Sequence, residues 1–371
     1  MNKQLYKYFV YLILLFIITG CTPKYEKFET ISQGNLAKAS WNELEGFQND
    51  DLEKAFEVFK QGCQKSKNNA LLKESCKKAN EYKSGLAFFK DNFVPHKLYD
   101  DTHKDEGLIT GYYEPLLQGS RTKSEIYQYP IFKQPKDLVA VDLTSVYPEL
   151  SKYRLRGKVV GNKLVPYDSR ATMKEDEHKE VICYVDDKVD LFFLHIQGSG
   201  RVQLDTGEII NVGFSDQNGR TYNSVGKRMI AEGLLKGYGG SMQGMKKWFE
   251  DNPDKTDAVL NHNESYVFFH ESSKSATGSL GVPLVAQRNI AVDRNYIPLG
   301  FPVFLQTKNP ITKQSINQLM VAADTGGAIK GKIRADFYWG FGDEAGEIAG
   351  KMKEFGKMYL FIPKEQTQRS N

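Results

Sequence analysis

From Leu108 onward, the chain is dominated by short apolar segments bounded by Gly, Pro, Asn or Asp. Segments of this kind, separated by turn residues, are typical of strands in barrels or sandwiches and not of β-α-β units. The segments expected to be strands are Leu108 to Tyr113, Lys158 to Val160, Val181 to Val185, Leu191 to Ile196, Glu208 to Val212, Tyr266 to Phe269, Ile290 to Val292, Pro302 to Gln306, Leu319 to Ala323 and Met358 to Ile362. The pattern predicts a mainly β (α+β) fold.

Helical patterns are fewer and lie mostly before the strand-rich part. Ser40-Trp-Asn-Glu43 has the form of a capping box and predicts the start of a helix. Further helices are expected at Leu52 to Phe59, Ala70 to Tyr82, Leu86 to Phe93, Ser224 to Leu235 and Asp343 to Phe355. In the last of these, small residues share one face, which would let the helix pack closely on a sheet: Ala345, Gly346, Ala349 and Gly350.

The first twenty residues have the features of a secretory signal, with two lysines and an apolar run from Phe9 to Gly20. The run is too short to span a bilayer, which needs about 20 apolar residues. Ile18-Thr-Gly-Cys21 resembles a bacterial lipobox, in which the cysteine is lipidated. We expect residues 1–20 to be a lipoprotein signal peptide and Cys21 to carry the lipid. The alternative is an ordinary signal peptide with an incidental cysteine.

The residue after the lipobox cysteine indicates the membrane. Thr22, and not Asp, follows Cys21, which by resemblance to sorted lipoproteins implies the periplasmic face of the outer membrane. Several acyl chains would make such an anchor effectively permanent. The net charge is +4 at pH 7 and becomes +2 without Lys3 and Lys7. This small net charge, together with the absence of a long Lys/Arg stripe, argues against nucleic acid as a partner.

The other cysteines suggest one structural crosslink and no metal site. Cys63 and Cys76 flank a polar break between two helical patterns, and a helical hairpin in the oxidising periplasm would join them as a disulfide. Cys183 lies in an alternating run and is expected to be a buried free thiol. The chain has no CxxC or HExxH motif, and its six histidines are scattered, so neither a metal nor a cofactor is expected.

Two aspartates lie in a segment too apolar and Gly-rich to be a solvated loop. A strand-like run leads to Asp324 at a Gly326-Gly327 turn, and Asp336 lies between an alanine and three aromatic residues. Burying a carboxylate costs several kcal/mol unless it is paired or its pKa rises. The pattern suggests an aspartic acid that stays protonated and donates a proton.

Three further blocks suggest binding, each with an ordinary structural alternative. Thr110-Gly-Tyr-Tyr-Glu-Pro115 could form an aromatic platform for sugar rings, or its tyrosines could pack in the core. Gln197-Gly-Ser-Gly-Arg201 would present polar groups at a strand end, with His195 facing a core or a neighbouring strand. Arg170 in Val165-Pro-Tyr-Asp-Ser-Arg170 could hold a backbone turn or a carboxylate, and Asp293 alone would be a turn residue.

Taken together, the blocks resemble the membrane-bound lytic murein transglycosylase A family, over about residues 36–363. The matching motifs include Asp293 with Ile297-Pro-Leu-Gly300, Asp324-Thr-Gly-Gly-Ala-Ile-Lys-Gly331, Arg334-Ala-Asp336-Phe-Tyr-Trp-Gly340, Ser224-Val-Gly-Lys227 and Ser265-Tyr-Val-Phe-Phe269, in addition to the three blocks above. Asp168 and His195 are departures from the family pattern. The resemblance implies a double-psi β-barrel domain with N-terminal helices (residues 22–117 plus 265–371). A second β domain (residues 118–264) is inserted into it and forms the other wall of a glycan groove.

The implied activity is cleavage, without water, of the β-1,4 bond between N-acetylmuramic acid and N-acetylglucosamine, leaving a 1,6-anhydro ring. Asp336 matches the single catalytic acid, Asp324 its acidic neighbour and Asp293 the third aspartate of the signature. The residues expected to bind substrate are Thr110, Tyr112, Tyr113, Gln197, Ser199, Arg201, Gly327 and Lys330. The partners are peptidoglycan strands, the outer membrane and, as an open possibility, a cell-wall synthesis complex. A monomer is expected.

Protonation of Asp336 is the chemical difficulty, because an ordinary Asp with a pKa of about 3.9 is almost fully ionised at pH 7. The neighbouring Phe337, Tyr338 and Trp339 are expected to desolvate it, and Asp324 to add a like charge. Three basic residues would oppose this, so they are predicted to point away from Asp336 or toward substrate carboxyl groups: Lys330, Lys332 and Arg334. Two rivals remain: a hydrolase in which Asp324 activates water, and a non-catalytic lipoprotein that tethers the membrane to the wall.

Overall fold

A computed structural model describes residues 25–26, 35–66, 69–272 and 276–367, which form a strand-rich mixture of α and β structure. The strands are β1 (Tyr25–Glu26), β2 (Asn35–Lys38), β3 (Phe93–Tyr99), β4 (Gly107–Glu114), β5 (Leu116–Ser120), β6 (Tyr129–Phe132), β7 (Val139–Ala140), β8 (Arg156–Val160), β9 (Lys163–Pro166), β10 (Val181–Val185), β11 (Ser199–Leu204), β12 (Ile209–Gln217), β13 (Val267–Ser272), β14 (Asn289–Val292), β15 (Pro302–Lys308), β16 (Ser315–Asp324), β17 (Ala335–Phe341) and β18 (Lys353–Pro363). The α-helices are α1 (Leu52–Ser66), α2 (Lys73–Lys78), α3 (Gly85–Asn92), α4 (Lys188–Gln197), α5 (Val225–Ala231), α6 (Met242–Asp251), α7 (Thr256–Leu260), α8 (Gly342–Lys351) and α9 (Lys364–Thr367). Short 3-10 helices lie at Trp41–Glu43, Phe47–Asn49, Ala79–Glu81, Pro148–Lys152, Arg170–Thr172 and Pro253–Lys255.

The larger sheet has the strand order β1-β2-β3-β18-β15-β16-β14-β17-β4. Strand β18 also pairs with β4 through Lys353 to Gly356, so the hydrogen-bonded order returns to β18. Aliphatic and aromatic side chains of these strands form the largest core together with α1 and α3. The long sequence separations between paired strands, such as β4 with β17, bring distant motifs onto one surface.

A second sheet, built from strands between residues 116 and 272, has the order β13-β12-β11-β5-β10-β6. A three-stranded sheet, β7-β8-β9, lies within the same part of the chain. The second sheet has its own core, and helices α4 to α7 enclose another. The chain enters this region directly after β4, because only Pro115 separates β4 from β5. The functional blocks at the end of β4 therefore lie where the two sheets meet.

Most expected strands overlap observed ones, but Leu191 to Ile196 is a helix, and the prediction of a strand there is wrong. The Asp187 side chain accepts hydrogen bonds from the backbone N–H groups of Val189 and Asp190 and caps the start of α4. Gly198, with φ of 77°, ends it in the left-handed conformation. Because α4 is buried between two cores, its apolar run has no helical periodicity and looks like a buried strand.

Most of the expected helices are observed with shorter or shifted bounds, whereas α1 extends beyond the predicted Leu52 to Phe59, as far as Ser66. The Ser40 capping box starts only a 3-10 turn, in which the Ser40 N–H donates to Glu43 Oε1 at 2.7 Å. Helix α8 ends at Lys351, because the chain then enters β18, and α6 was not predicted. The small face of α8 packs on β4 as predicted, with Gly346 so close that an added Cβ would lie 2.7 Å from the Tyr113 ring.

Cys63 and Cys76 form a disulfide with a Cα–Cα distance of 5.5 Å, and Cys183 is a buried free thiol, both as predicted. The expected signal peptide and Cys21 lie outside the described residues. Within the described ranges, no helix has both the length and the apolar character needed to cross a membrane.

Candidate active site

Two of the three signature aspartates lie in one row across adjacent strands. Ala291 on β14 pairs with Asp324 on β16 on one side and with Asp336 on β17 on the other. Asp336 in turn pairs with Thr110 on β4. Paired residues on neighbouring strands share a face of the sheet. We call these four residues the aspartate row.

The alternation along β17 separates the aromatic neighbours of Asp336. Phe337 and Trp339 pack against each other in the largest core, with ring centroids 4.7 Å apart. Tyr338 belongs to a smaller cluster with Tyr112, and their ring centroids are 5.1 Å apart. Because successive strand residues point to opposite faces, Tyr338 shares the face of Asp336, whereas Phe337 and Trp339 do not. Of the three aromatic residues expected to desolvate Asp336, only Tyr338 therefore shares its face of the sheet.

The Asp336 carboxyl is held at the row by Thr110. The Thr110 hydroxyl donates to Asp336 Oδ1 at 2.5 Å. Desolvation is the largest influence on Asp336 and raises its pKa, and the like charge of Asp324 adds to the rise. The hydrogen bond from Thr110 and the positive charge of Arg334 act in the opposite direction. The net result is a pKa above the ordinary range, as the sequence suggested.

Arg334 lies beside the row, so the first of its two predicted orientations, away from Asp336, is wrong; the second, toward a substrate carboxyl group, stays a prediction. Its guanidinium Nη2 donates to Thr110 Oγ1 at 2.9 Å, and Thr110 in turn donates to Asp336. Desolvation lowers the pKa of Arg334 itself, while Asp336 raises it. Lys332 behaves as predicted, since its ammonium pairs with Asp101 at 2.6 Å. Lys330 is exposed in the loop before β17.

Asp324 is bound differently from Asp336. Its Oδ1 accepts hydrogen bonds from the Ser279 N–H at 2.9 Å, the Ser279 hydroxyl at 2.8 Å and the Thr325 N–H at 2.8 Å. Desolvation raises the pKa of Asp324, and these donors, together with the buried Tyr112 hydroxyl, oppose the rise. Two strand spacings separate the backbones of Asp324 and Asp336 by roughly 10 Å. Asp324 therefore accepts three of the described hydrogen bonds, whereas Asp336 accepts one.

Asp293 has a structural position at the turn after β14. Its carboxylate accepts from the Asn295 N–H at 3.2 Å and from the Gly331 N–H at 3.0 Å. The second bond fastens the loop that connects Asp324 to Asp336. The structure therefore gives Asp293 the turn role that a lone aspartate would have, and it lies outside the aspartate row.

The paired tyrosines of β4 are buried, which is the core-packing alternative raised from the sequence. Tyr112 packs on Tyr338, and Tyr113 packs against Gly346 of α8. Their rings therefore leave little surface on which a sugar could stack. Desolvation by burial raises the pKa of Tyr113 to about 12.

A cavity of about 260 Å³ lies between β4, α8 and the helices α4, α5 and α6. It is bordered by Thr110, Tyr113 and Gln197, three of the residues expected to bind substrate. Gln197 also fixes β4, since its Oε1 accepts from the Tyr113 N–H at 3.2 Å. The other lining residues are Gly111, Phe192, Phe193, Ile196, Tyr222, Ser224, Val225, Gly226, Gly240, Met242, Met245, Phe249, Ala349, Gly350 and Met352. Because Thr110 also contacts Asp336, the cavity adjoins the aspartate row.

The remaining expected binding residues do not line this cavity. Ser199 begins β11, and Gly327 lies exposed in the turn after Asp324. Arg201 pairs with the buried Glu114 at 3.3 Å, and its guanidinium lies 3.8 Å from the centre of the Phe341 ring. Sequence reasoning missed Glu114, although it stands within one of the motifs, because its partners come from three distant parts of the chain.

Arg170 and His195 make structural contacts outside the aspartate row. The Arg170 guanidinium donates to the backbone carbonyls of Asn263 and Ser265 at 3.0 and 2.7 Å. It also lies 3.0 Å from His195 Nδ1, and burial lowers the pKa of this histidine. Arg170 therefore holds a backbone turn, and His195 faces a core, as the structural alternatives proposed. No cluster of metal-ligating side chains occurs within the described ranges.

Desolvation raises the pKa of both carboxyl groups; three hydrogen-bond donors and the Tyr112 hydroxyl oppose the rise at Asp324, whereas the Thr110 hydroxyl and Arg334 oppose it at Asp336. Two partly buried carboxyl groups with raised pKa values in unlike surroundings are typical of acid–base sites. Thr110 links the aspartate row to the cavity between β4, α8 and the helices α4, α5 and α6, because it borders that cavity and donates to Asp336.

Comparisons with known proteins agree with this architecture. A model described as the MltA specific insert domain matches residues 108–270, and a model described as the 3D domain matches residues 288–362. Membrane-bound lytic murein transglycosylase A of Escherichia coli (strain K12) is 31% identical over 260 residues, which cover 68% of this chain and 64% of that protein. The chain thus matches slightly less than two thirds of the length of this curated relative.

Solved structures match over a larger share of both chains. The crystal structure of MltA from Neisseria gonorrhoeae is 33% identical, with a TM-score of 0.79, and the match covers 92% of this chain and 97% of that one. The membrane-bound lytic murein transglycosylase from Agrobacterium tumefaciens is 29% identical, with a TM-score of 0.82, over 91% of this chain and 99% of that one. The fold and the order of the motifs are therefore shared along nearly the whole described chain.

Proposed function

Because the chain belongs to the membrane-bound lytic murein transglycosylase A family, we propose that it is a peptidoglycan lytic transglycosylase. Its substrate would be the β-1,4 bond between N-acetylmuramic acid and N-acetylglucosamine, and its product a 1,6-anhydromuramoyl end. The observation that carries the proposal is the partly buried Asp336 carboxyl, whose pKa desolvation raises, beside Thr110 at the edge of the cavity between β4, α8 and the helices α4 to α6.

The first step transfers the Asp336 proton to the glycosidic oxygen, and the bond from that oxygen to C1 of the muramoyl residue breaks. The muramoyl 6-hydroxyl then attacks its own C1, and Asp336, now a carboxylate, accepts the hydroxyl proton. The leaving sugar keeps the first proton, Asp336 is protonated again by the proton of the 6-hydroxyl, and no water is consumed. An intramolecular nucleophile gains greatly from proximity, so a second carboxylate that positions water is unnecessary.

Asp324 would act as the anionic neighbour in this scheme. Its three donors favour the carboxylate form, whereas Asp336 accepts from a single neutral hydroxyl. The negative charge of Asp324 raises the pKa of Asp336. Arg334 acts the other way, and we propose that it stabilises the Asp336 carboxylate that forms in the first step, until that carboxylate accepts the hydroxyl proton in the second.

The finer architecture is part of the same proposal. We assign the strands β18, β15, β16, β14, β17 and β4 to a double-psi β-barrel, supported by the hydrogen-bonded order that returns to β18. The barrel domain would comprise residues 22–117 and 265–371, and residues 118–264 would form the inserted domain. The glycan would lie between them, in contact with Thr110 and Gln197 at the cavity.

The lipobox and the names of the relatives support a location at a membrane, and we propose that it is the outer membrane. The related E. coli protein is described as membrane-bound. Lipid on Cys21 would hold the chain at the periplasmic face of the outer membrane, within reach of peptidoglycan. Labelling with a clickable palmitate analogue and Cys21→Ser as the control would test the anchor.

The reaction is tested by digesting purified sacculi with the mature protein and identifying the products by mass spectrometry. The proposal predicts soluble muropeptides with 1,6-anhydro ends, and Asp336→Asn should lower their release by roughly 10²- to 10⁴-fold. Reducing ends would indicate the rival hydrolase. Binding of sacculi with no soluble product would indicate the tethering lipoprotein.

A further inference from the structure

Ser279 supplies two of the three donors that meet at one oxygen of Asp324. Its N–H and its hydroxyl reach Asp324 Oδ1 at 2.9 and 2.8 Å, and the Thr325 N–H reaches the same atom at 2.8 Å. Ser279 Oγ also lies 2.8 Å from Thr325 Oγ1. Because the serine has one hydroxyl proton, Thr325 can donate to Ser279 while Ser279 donates to Asp324. Such chained bonds to an ionised acceptor are among the stronger hydrogen bonds in proteins.

The loop that carries Ser279 is fixed on the strand that carries Asp324. The Leu280 N–H donates to the Ala323 carbonyl at 2.9 Å. An added Cβ at Gly278 would lie 2.4 Å from the same carbonyl oxygen, so the loop backbone lies directly on β16. The backbone contacts of Gly278 and Leu280 therefore hold Ser279 beside Asp324 in addition to the hydrogen bonds of its own side chain.

The start of the loop is fixed from another direction. The Ala276 N–H donates to the buried Glu114 carboxylate at 3.0 Å, and Glu114 also accepts from the Tyr338 hydroxyl at 3.1 Å. Glu114 pairs with Arg201 on β11, in the second sheet. The loop is thus tied to β4, to β17 and to the region proposed as the inserted domain.

We propose that Ser279 is a positioning residue that keeps Asp324 ionised and so leaves the catalytic proton on Asp336. The proposal rests on the proposed function, because it assigns the proton to the acid of that reaction. The hydroxyl of Ser279 makes a bond that a merely turn-forming serine would not need, since the backbone N–H already occupies the same oxygen.

Other charged or titratable groups also influence the pKa of Asp324 and must be considered when its titration is interpreted. Asp336 and Tyr338 on β17 and the Tyr112 hydroxyl on β4 interact with it electrostatically. Tyr112 favours the ionised form of Asp324, as Ser279 does. Neither tyrosine changes charge near neutral pH, since burial raises the pKa of both. The titration of the two aspartates is therefore coupled to each other.

The test is a carbon-13 NMR titration of the mature full-length chain labelled at the aspartate carboxyls, with Asp324→Asn to assign the signal. Ser279→Ala should raise the titration midpoint of Asp324 by about one pH unit, the size of one charge-assisted hydrogen bond. Ser279→Thr, which keeps the hydroxyl, should retain the original midpoint. Ser315→Ala, at the exposed far end of β16, is the matched control and should change nothing.

An Asp324 midpoint that stays in place in a folded Ser279→Ala protein overturns the proposal. Thr325→Val, which removes the hydroxyl behind Ser279, should move the midpoint in the same direction and provides a second variant. Because the titration needs no turnover, it decides the role of Ser279 even if sacculi yield no anhydro products, an outcome that would defeat the proposed function alone. In active protein, the acid limb of the pH–rate profile should rise with the midpoint, while KM stays constant.

Discussion

Asp324 and Asp336 flank the same residue, Ala291, from the two neighbouring strands of β14. The pairing fixes them on one face of the sheet, two strand spacings apart. Their surroundings nevertheless differ, because Asp324 accepts from two backbone N–H groups and a serine hydroxyl, whereas Asp336 accepts from Thr110 alone among the hydrogen bonds described. That asymmetry supports the proposal that Asp324 is the anion and that Asp336 holds the proton.

Replacing Thr110 should move the pH dependence of the reaction. Its hydroxyl lowers the pKa of Asp336, so Thr110→Val should raise that pKa and shift the alkaline limb of the pH–rate profile to higher pH. The maximal rate should fall about tenfold, because the acid is no longer held in place. Thr110→Ser keeps the donor and should preserve the profile; a Thr110→Val limb at its original position would contradict the assigned contact.

Replacing Asp324 should lower the pKa of Asp336, whereas replacing Thr110 should raise it. Its negative charge raises the pKa of Asp336, so Asp324→Asn should lower that pKa and move the optimum to lower pH. Activity at pH 7 should fall about tenfold for each pH unit by which the limb moves. The pH–rate profile of anhydro product release is the measurement, and an unchanged profile would count against the influence of Asp324.

Replacing Asp336 by asparagine should stabilise the protein in a pH-dependent manner. Desolvation raises the pKa of Asp336 above its unfolded value, so its contribution to stability is present below the unfolded pKa and is lost as the pH rises through the folded one. Asp336→Asn should therefore raise Tm at pH 8 by about 2 °C for each kcal/mol relieved and have little effect at pH 3. Thermal melts at both pH values check this. A lower Tm at pH 8 would show that the ionised carboxylate is well paired.

The close packing of α8 on β4 predicts a destabilised Gly346→Val variant. An added Cβ at Gly346 would lie 2.7 Å from the Tyr113 ring, so the helix must move away from the strand. The cost should be about 1–3 kcal/mol of the free energy of unfolding, measured by urea denaturation. Glu344→Ala, on the exposed side of α8, is the control. Equal free energies of unfolding for the two variants would show that the interface between α8 and β4 can accommodate the valine side chain.

The sequence indicated candidate motifs but not the contacts between them. Asp324 and Asp336 were identified from their apolar and Gly-rich surroundings, and the disulfide between Cys63 and Cys76 from the polar break between two helical patterns. The alignment of both aspartates with Ala291 could not be predicted, since it depends on strand pairings between distant segments. For the same reason, the hydrogen bonds of Ser279 to Asp324, across 45 positions in the chain, left no pattern in the sequence.

Two of the predictions are wrong for different reasons. Burial on all sides hides the periodicity of a helix, and a charged side chain can be held close to a site by a hydrogen bond to a neighbouring residue. The run Leu191 to Ile196 lies between two cores and was interpreted as a strand, although Asp187 and Gly198 mark the ends of a helix. Arg334 was expected to avoid Asp336, but it binds the hydroxyl that holds Asp336. The local sequence shows that residue 334 is a charged arginine. It does not show that Arg334 donates to Thr110 and that Thr110 donates to Asp336, which makes this position favourable.

The central claim is that the Asp336 carboxyl keeps its proton far better than an ordinary aspartic acid. A carboxyl-specific infrared or carbon-13 titration of Asp336 in the mature chain, with Asp336→Asn as the blank, measures this directly, both free and with a bound glycan oligomer. The account predicts a protonated fraction that persists well above the usual range of aspartate, and more so with glycan bound. A carboxyl that titrates at or below the ordinary value of about 3.9 in both states would contradict it.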